Sequence, residues 1–83
     1  MAITPDDMAR AVDLLEKKDW RAAHEIVQKD EEPPLACWAH GIVHLMEGDE
    51  SNARYWYGQA RRAFPAHPVI AEEVRALREA AGR

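Results

Sequence analysis

The stretch from Leu35 to Met46 reads Leu-Ala-Cys-Trp-Ala-His-Gly-Ile-Val-His-Leu-Met and contains no Asp, Glu, Lys or Arg. Its apolar residues recur with helical period and form one wide stripe, made of Leu35, Trp38, Ala39, Ile42, Leu45 and Met46. The other side of the same helix holds Cys37, His40, Gly41 and His44. A helix without charge on any face is usually buried on most faces. We therefore predict that this helix is the middle of the domain.

Two helices are predicted before this stretch. The first begins at Thr4, whose hydroxyl can cap the helix while Asp7 completes a capping box, and it ends near Lys18. The second follows the capping residue Asp19. It ends before Pro33, because a proline disfavours α conformation in the residue that precedes it. Both segments carry an apolar stripe that can face the central helix.

Two further helices are predicted after the central one. Gly48 can end the central helix, and Asp49 can cap the next helix. The apolar stripe of this fourth helix continues as far as Phe64, and Pro65 stops it. A fifth helix follows, with a stripe made of Ile70, Val74, Leu77 and Ala81. The predicted fold class is therefore all-α with about five helices.

Size and composition limit the range of functions. The 83 residues make one domain, residues 1–83, with a formal net charge of −4. Because phosphate binding needs a net basic footprint, we expect no nucleic-acid partner. No apolar run reaches the roughly 18 residues that a membrane helix needs, and the N-terminus does not resemble a signal peptide. Cys37 is the only cysteine, so no internal disulfide forms, and a cytoplasmic location is expected.

Charge is unevenly distributed along the chain. Residues 1–50 carry twelve acidic and five basic side chains, whereas residues 51–83 carry three acidic and six basic ones, all six of them arginine. Two interpretations fit this asymmetry. We favour solvated helix faces. The other interpretation is head-to-tail self-association, in which opposite charges of two copies meet in a homodimer.

A weak internal repeat has a spacing of 30 residues. The two copies pair Asp19 with Asp49, Ala23 with Ala53 and Val27 with Tyr57. The second copy resembles the tetratricopeptide (TPR) pattern at four positions, Gly41, Ala53, Tyr57 and Pro65. Where that pattern has large packing residues, this chain has Cys37, His40 and His44. The resemblance implies two TPR-like antiparallel helical hairpins plus a C-terminal capping helix; a compact five-helix bundle is the alternative.

A second resemblance covers the segment from Trp20 to Ala60. Its distinctive residues are Ala23-His24, Gln28, Trp38-Ala39-His40, His44, Glu47-Gly48-Asp49, Asn52-Ala53, Tyr55-Trp56-Tyr57 and Ala60. In these residues the chain resembles an uncharacterised family of small, mainly bacterial, TPR-like helical proteins. Members of that family often have Arg directly after the second histidine, where this chain has Leu45. The resemblance implies a helical repeat fold and no particular activity.

Four side chains of the central helix could form a metal site. On a helical wheel, about 80° separates the outermost members of the set Cys37, His40, His44 and Glu47. Histidines at positions i and i+4 are a workable pair of metal ligands, and His24 on the preceding helix could join them. We rank this interpretation below a hydrogen-bonded structural role for the histidines and below a small-ligand or peptide pocket. No metal or other cofactor is therefore expected.

The two higher-ranked roles of the histidines involve different neighbours. A buried imidazole without a partner costs about 1–3 kcal/mol, so the structural role requires hydrogen bonds. The expected partners are backbone carbonyls or the side chains of Glu25, Asn52, Tyr55 and Tyr57. The ligand pocket would instead be lined by His24, His40, His44, Tyr55 and Tyr57.

Aromatic and basic residues indicate an interaction surface. Three aromatic residues lie on apolar stripes and are predicted to be core: Trp38, Trp56 and Tyr57. The predicted contact surface consists of Trp20, Tyr55, Arg61 and Arg62. No nucleophile–base pair, phosphate-binding glycine loop or paired-carboxylate motif supports an enzyme. We therefore expect a small helical module that binds a protein partner or itself; the alternative is a ligand or metal pocket on the face of His40 and His44.

Overall fold

The structure is built from α-helices. The computed structural model describes residues 2–82, so Met1 and Arg83, the last arginine of the charge count, lie outside the described residues. The helices are α1 (Pro5–Glu16), α2 (Trp20–Val27), α3 (Pro34–Glu47), α4 (Glu50–Gln59) and α5 (Ile70–Ala81). Within residues 2–82 there is no β-strand, and none of these helices has the length and apolar character needed to cross a membrane. The predicted all-α fold with five helices is confirmed.

Helix α3 lies at the centre of the fold. Every residue from Ala36 to His44 is buried, and α3 contacts each of the other four helices. This uninterrupted burial is possible because the segment has no charged residue, and charged side chains are almost never fully buried without a partner. The predicted central position of this helix is confirmed.

Local caps fix the ends of several helices. The Thr4 hydroxyl accepts a hydrogen bond from the Asp7 backbone N–H at 3.0 Å, and the Asp7 carboxylate accepts one from the Thr4 N–H at 3.1 Å. Asp19 and Asp49 cap α2 and α4 by accepting the backbone N–H three residues ahead, at 3.3 and 3.2 Å respectively. Gly48 ends α3 in the left-handed conformation, with φ of 88°. These predicted caps are confirmed.

The end of α4 differs from the prediction. The apolar stripe predicted a helix as far as Phe64, but α4 ends at Gln59. Arg61 is left-handed with φ of 60°, and the Arg62 N–H donates a hydrogen bond to the Tyr57 carbonyl at 3.0 Å. This is the bonding pattern of a Schellman turn, which closes a helix by satisfying its last carbonyls. The prediction missed the turn because the left-handed residue is an arginine rather than the usual glycine.

The segment after α4 folds back onto the core. The guanidinium carbon of Arg62 lies 3.4 Å from the centroid of the Trp38 ring, and the Phe64 ring meets Tyr57 edge to face at 5.2 Å. Both are favourable cation–π or aromatic arrangements. Arg62, which we predicted for an interaction surface, is therefore engaged within the chain.

Helix α5 closes the fold into a bundle. The connections within α1–α2 and within α3–α4 are short and the paired helices are in contact, so both predicted hairpins are present. Helix α5 then packs against α3 and also against α1. In an open array each repeat contacts only its neighbours. The contact between α5 and α1 is therefore the arrangement of the compact bundle that we gave as the alternative.

Ion pairs hold α5 against α1. Arg78 pairs with Asp13 and with Glu16, and 2.6 Å separates its Nε from a Glu16 carboxylate oxygen. Exposed pairs of this kind contribute about 0–1 kcal/mol each, so they select the docking position more than they stabilise the fold. An arginine of the second half thus meets acids of the first half within one molecule, which accounts for part of the charge asymmetry.

Gly41 allows α4 to approach α3 closely. A Cβ atom at this position would lie 2.5 Å from Cδ1 and 2.7 Å from Cε1 of the Tyr57 ring. That ring cannot easily move away, because the Tyr57 hydroxyl donates a hydrogen bond to the Glu73 carboxylate on α5. The absence of a side chain at residue 41 therefore sets the spacing between the two helices.

We expect Gly41→Ala to lower the free energy of unfolding by about 1–3 kcal/mol, the usual cost of overpacking a core. The matched control is Gly58→Ala, because nothing lies within 4 Å of a Cβ atom built at Gly58. There alanine should raise the free energy of unfolding by up to about 1 kcal/mol through helix propensity. Urea denaturation followed by circular dichroism measures both changes. A Gly41→Ala variant as stable as the parent chain would contradict the close packing.

Candidate functional site

Three histidine side chains come together between α2 and α3. The ring centroid of His24 lies 4.8 Å from that of His40 and 5.6 Å from that of His44, in edge-to-face arrangements. His40 and His44 stack on each other with centroids 5.1 Å apart. One ring nitrogen from each residue lies within 4.8 Å of the other two nitrogens. We call these three residues the histidine cluster.

The histidine cluster is buried on its α3 side. His40 is only 3% exposed and His44 is 8% exposed, whereas His24 is half-buried. The indole of Trp56 on α4 stacks on the His40 ring at 3.9 Å, with 8° between the two planes. The cluster therefore has an aromatic wall on the α4 side.

Hydrogen bonding differs between the two buried histidines. Nδ1 of His44 lies 2.8 Å from a carboxylate oxygen of Glu47. Nδ1 of His40 is buried and has no hydrogen-bond partner among the described residues. The structural role that we ranked first for the histidines predicted hydrogen bonds for both, so for His40 Nδ1 that prediction is wrong.

Burial also determines the charge of His40. Burial, together with the charge of the neighbouring His24 and His44 rings, lowers the pKa of His40 from its ordinary value of 6.5 to about 4. His40 is therefore an uncharged imidazole at neutral pH. An uncharged ring keeps a lone pair on one nitrogen, which can accept a hydrogen bond or bind a metal ion.

The two tyrosines predicted for a ligand pocket lie apart from the histidine cluster. Tyr55 is 56% exposed and meets Trp56 edge to face at 5.1 Å. Tyr57 is buried, and its hydroxyl is bound to Glu73 on α5. The aromatic residue that does contact the cluster is Trp56, which we predicted only as core. Trp56 lies on the apolar stripe of α4, and this stripe is expected to face α3. The contact between Trp56 and α3 could have been predicted from that position.

Cys37 is also separate from the histidine cluster. Its buried thiol donates a hydrogen bond to the Glu31 carbonyl at 3.2 Å. Burial raises the pKa of the Cys37 thiol, and the charges of Glu31 and Asp30 raise it further. Of the four predicted metal ligands on α3, His40 and His44 lie together. Glu47 contacts His44, and Cys37 lies apart from both histidines.

A second candidate site is an open groove at one end of the bundle. It lies where α1 and α3 end and where α2 and α5 begin, and its volume is about 730 Å³. Its apolar lining, which we call the apolar groove, consists of Leu15, Trp20, Met46, Ile70, Ala71 and Val74. The charged residues that line it are Glu16, Lys18 and Arg75.

Only one residue of the predicted interaction surface belongs to the apolar groove. Trp20 lines it, half-buried, with the Arg21 guanidinium 5.1 Å from the centroid of its ring. Tyr55, Arg61 and Arg62 lie on α4 or directly after it, away from the groove lining. From the sequence we therefore predicted one residue of the groove lining as a contact residue and not the others, because they come from distant segments of the chain.

Comparison of the chain with models of known protein families, with curated proteins and with solved structures found no match. The two resemblances described from the sequence remain predictions. Conclusions about function therefore depend on the geometry of the histidine cluster and of the apolar groove.

The low pKa of His40 predicts a pH-dependent stability. Between pH 6.5 and about 4 the unfolded chain binds a proton at His40 that the folded chain excludes, so the free energy of unfolding falls as the solution is acidified. The total loss from this residue should be about 3 kcal/mol, given a shift from 6.5 to about 4 and 1.36 kcal/mol per pKa unit. Above pH 6.5 this contribution should not change.

Urea denaturation of the parent chain and of His40→Leu at several pH values between 4 and 7 would measure this dependence. The other titratable groups are common to both proteins, so the difference between the two curves reports His40 together with its electrostatic coupling to the neighbouring histidines. The variant should lose less stability on acidification. Parallel curves for the two proteins would contradict a buried, uncharged His40.

Proposed function

We propose that the protein is a small helical interaction module that binds a segment of a partner protein in the apolar groove. The observation that carries this proposal is the half-buried state of Trp20, Met46 and Ile70 in the groove lining. Each of these side chains leaves apolar surface in water, and a partner would remove that surface from water. Trp and Met are also residue types that protein interfaces favour.

The charges beside the groove favour one kind of partner. Glu16 is already paired with Arg78, so the remaining charged side chains of the lining, Lys18 and Arg75, are basic. An amphipathic helix whose apolar stripe is flanked by acidic residues matches such a surface in apolar character and in charge. Val69, directly before Ile70 in the sequence, is a further apolar side chain that is 48% exposed.

The overall composition supports a protein partner. A net charge of −4 is unfavourable for binding a polyphosphate, so nucleic acid is not proposed. A second copy of this chain is one partner that the proposal allows, as in a homodimer. Cys37 is a free thiol, which fits the cytoplasmic location that we propose for the protein.

We expect Met46→Glu to weaken partner binding by roughly tenfold or more, because it places a charge in an apolar contact. Arg75→Glu, at an exposed position of α5, should also weaken binding by reversing the charge beside the groove. Each protein would be used as bait in a native lysate, with captured proteins quantified by mass spectrometry. Sedimentation of the purified chain measures self-association in the same variants.

Tyr55→Ala is the matched control, because Tyr55 is an exposed aromatic residue outside the groove. This variant should keep the partner that the parent chain captures. A partner that survives Met46→Glu but is lost with Tyr55→Ala would show binding through α4 and would contradict the proposal. Circular dichroism and melting curves establish that each variant is folded.

A further inference from the structure

The histidine cluster is not explained by hydrogen bonding among its own members. The His40 and His44 rings stack with 21° between their planes. An N–H···N hydrogen bond needs the donor of one ring to point, nearly in plane, at the nitrogen of the other. Stacking therefore keeps these two rings from satisfying each other, although they are adjacent.

The buried Nδ1 of His40 is not satisfied by hydrogen bonding within the cluster either. Nδ1 of His40 has no hydrogen-bond partner among the described residues, and the residue is only 3% exposed. Buried polar atoms in proteins are nearly always hydrogen-bonded or bound to an ion, so an unpaired nitrogen on a central helix requires an explanation. A leucine at residue 40 would have filled the same space without this cost.

The contact between His44 and Glu47 is typical of a ligand that is held in position. Histidines that bind metals usually place their other ring nitrogen against a carboxylate or a carbonyl, which fixes the orientation and the tautomer of the ring. Here the Glu47 carboxylate lies 2.8 Å from Nδ1 of His44. Nε2 is then the His44 nitrogen that remains for an ion.

We propose that His24, His40 and His44 bind one divalent transition-metal ion of the zinc type, through one ring nitrogen each. Imidazole nitrogens suit Zn²⁺, Cu²⁺ and Ni²⁺, and three histidines leave a position for water or a small ligand on a four-coordinate ion. Zinc–nitrogen bonds of about 2.0–2.1 Å require the three nitrogens to move closer together. Rotation of the half-buried His24 side chain is the movement that the structure allows most easily.

Nearby acidic and thiol groups do not complete the site. The Asp49 carboxylate accepts hydrogen bonds from the backbone and side chain of Asn52 and from the Ser51 hydroxyl, so it is used as the cap of α4. The Cys37 thiol is bound to a backbone carbonyl. The histidine cluster is therefore a three-nitrogen site, and its ion would link the hairpin α1–α2 to the hairpin α3–α4.

The test is a titration of the full chain, made without a histidine tag and freed of metal by a chelator, with Zn²⁺ alone. Calorimetry should give one bound ion per chain. At a zinc concentration 100 times the Kd, the melting temperature should rise by roughly 10–20 °C, because the ion binds the folded state. The absence of binding, or a melting temperature that zinc does not raise, would overturn the proposal.

Variants separate the cluster from adventitious binding. His24→Ala and His24→Gln should each lose at least about 90% of the zinc affinity, in line with the removal of a ligand; the second variant keeps the size of the side chain in case the first does not fold. His67→Ala removes the fourth histidine of the chain, which is exposed, and should bind as the parent does. Zinc binding that survives both His24 variants, or that His67→Ala removes, would contradict the site.

This inference is independent of the proposed interaction function. None of the three histidines lines the apolar groove. Zinc binding can therefore be lost in His24→Gln while partner binding is kept, and Met46→Glu should leave zinc affinity unchanged.

Discussion

The burial of α3 is the constraint on which the rest of the structure depends. Nine consecutive residues, Ala36–His44, are removed from water, and no charge interrupts them. A helix buried on all sides must be covered by neighbours, and the other four helices all pack against it. Covering α3 also requires the close approach of α4 over Gly41, because a bulkier residue at this position would keep α4 away from α3.

Burial of α3 also removes its polar side chains from water, and these side chains differ in the hydrogen bonds that they make. The Cys37 thiol finds a backbone carbonyl, and His44 finds the carboxylate of Glu47. His40 lies between His24 and Trp56, and its Nδ1 has no hydrogen-bond partner within residues 2–82. The polarity of α3 is therefore concentrated on the side where α2 and α4 meet it.

The apolar groove has a different origin. Helix α5 packs across α1 and α3, held by the pairing of Arg78 with acids of α1 and by hydrogen bonds to Glu73. This packing brings Ile70, at the start of α5, beside the C-terminal ends of the first and third helices. The two candidate sites thus use different parts of the bundle.

The sequence by itself determined the five helices, the caps at Thr4, Asp19, Gly48 and Asp49, and the central position of α3, because these depend on local periodicity and on chemistry within a few residues. It also placed His40 and His44 on one face. Tertiary structure alone decided that Trp56 covers His40, that Tyr57 turns to α5, and that α5 closes on α1. These contacts join segments that are distant in the sequence. Neither helical period nor capping chemistry predicts which distant side chains will be in contact.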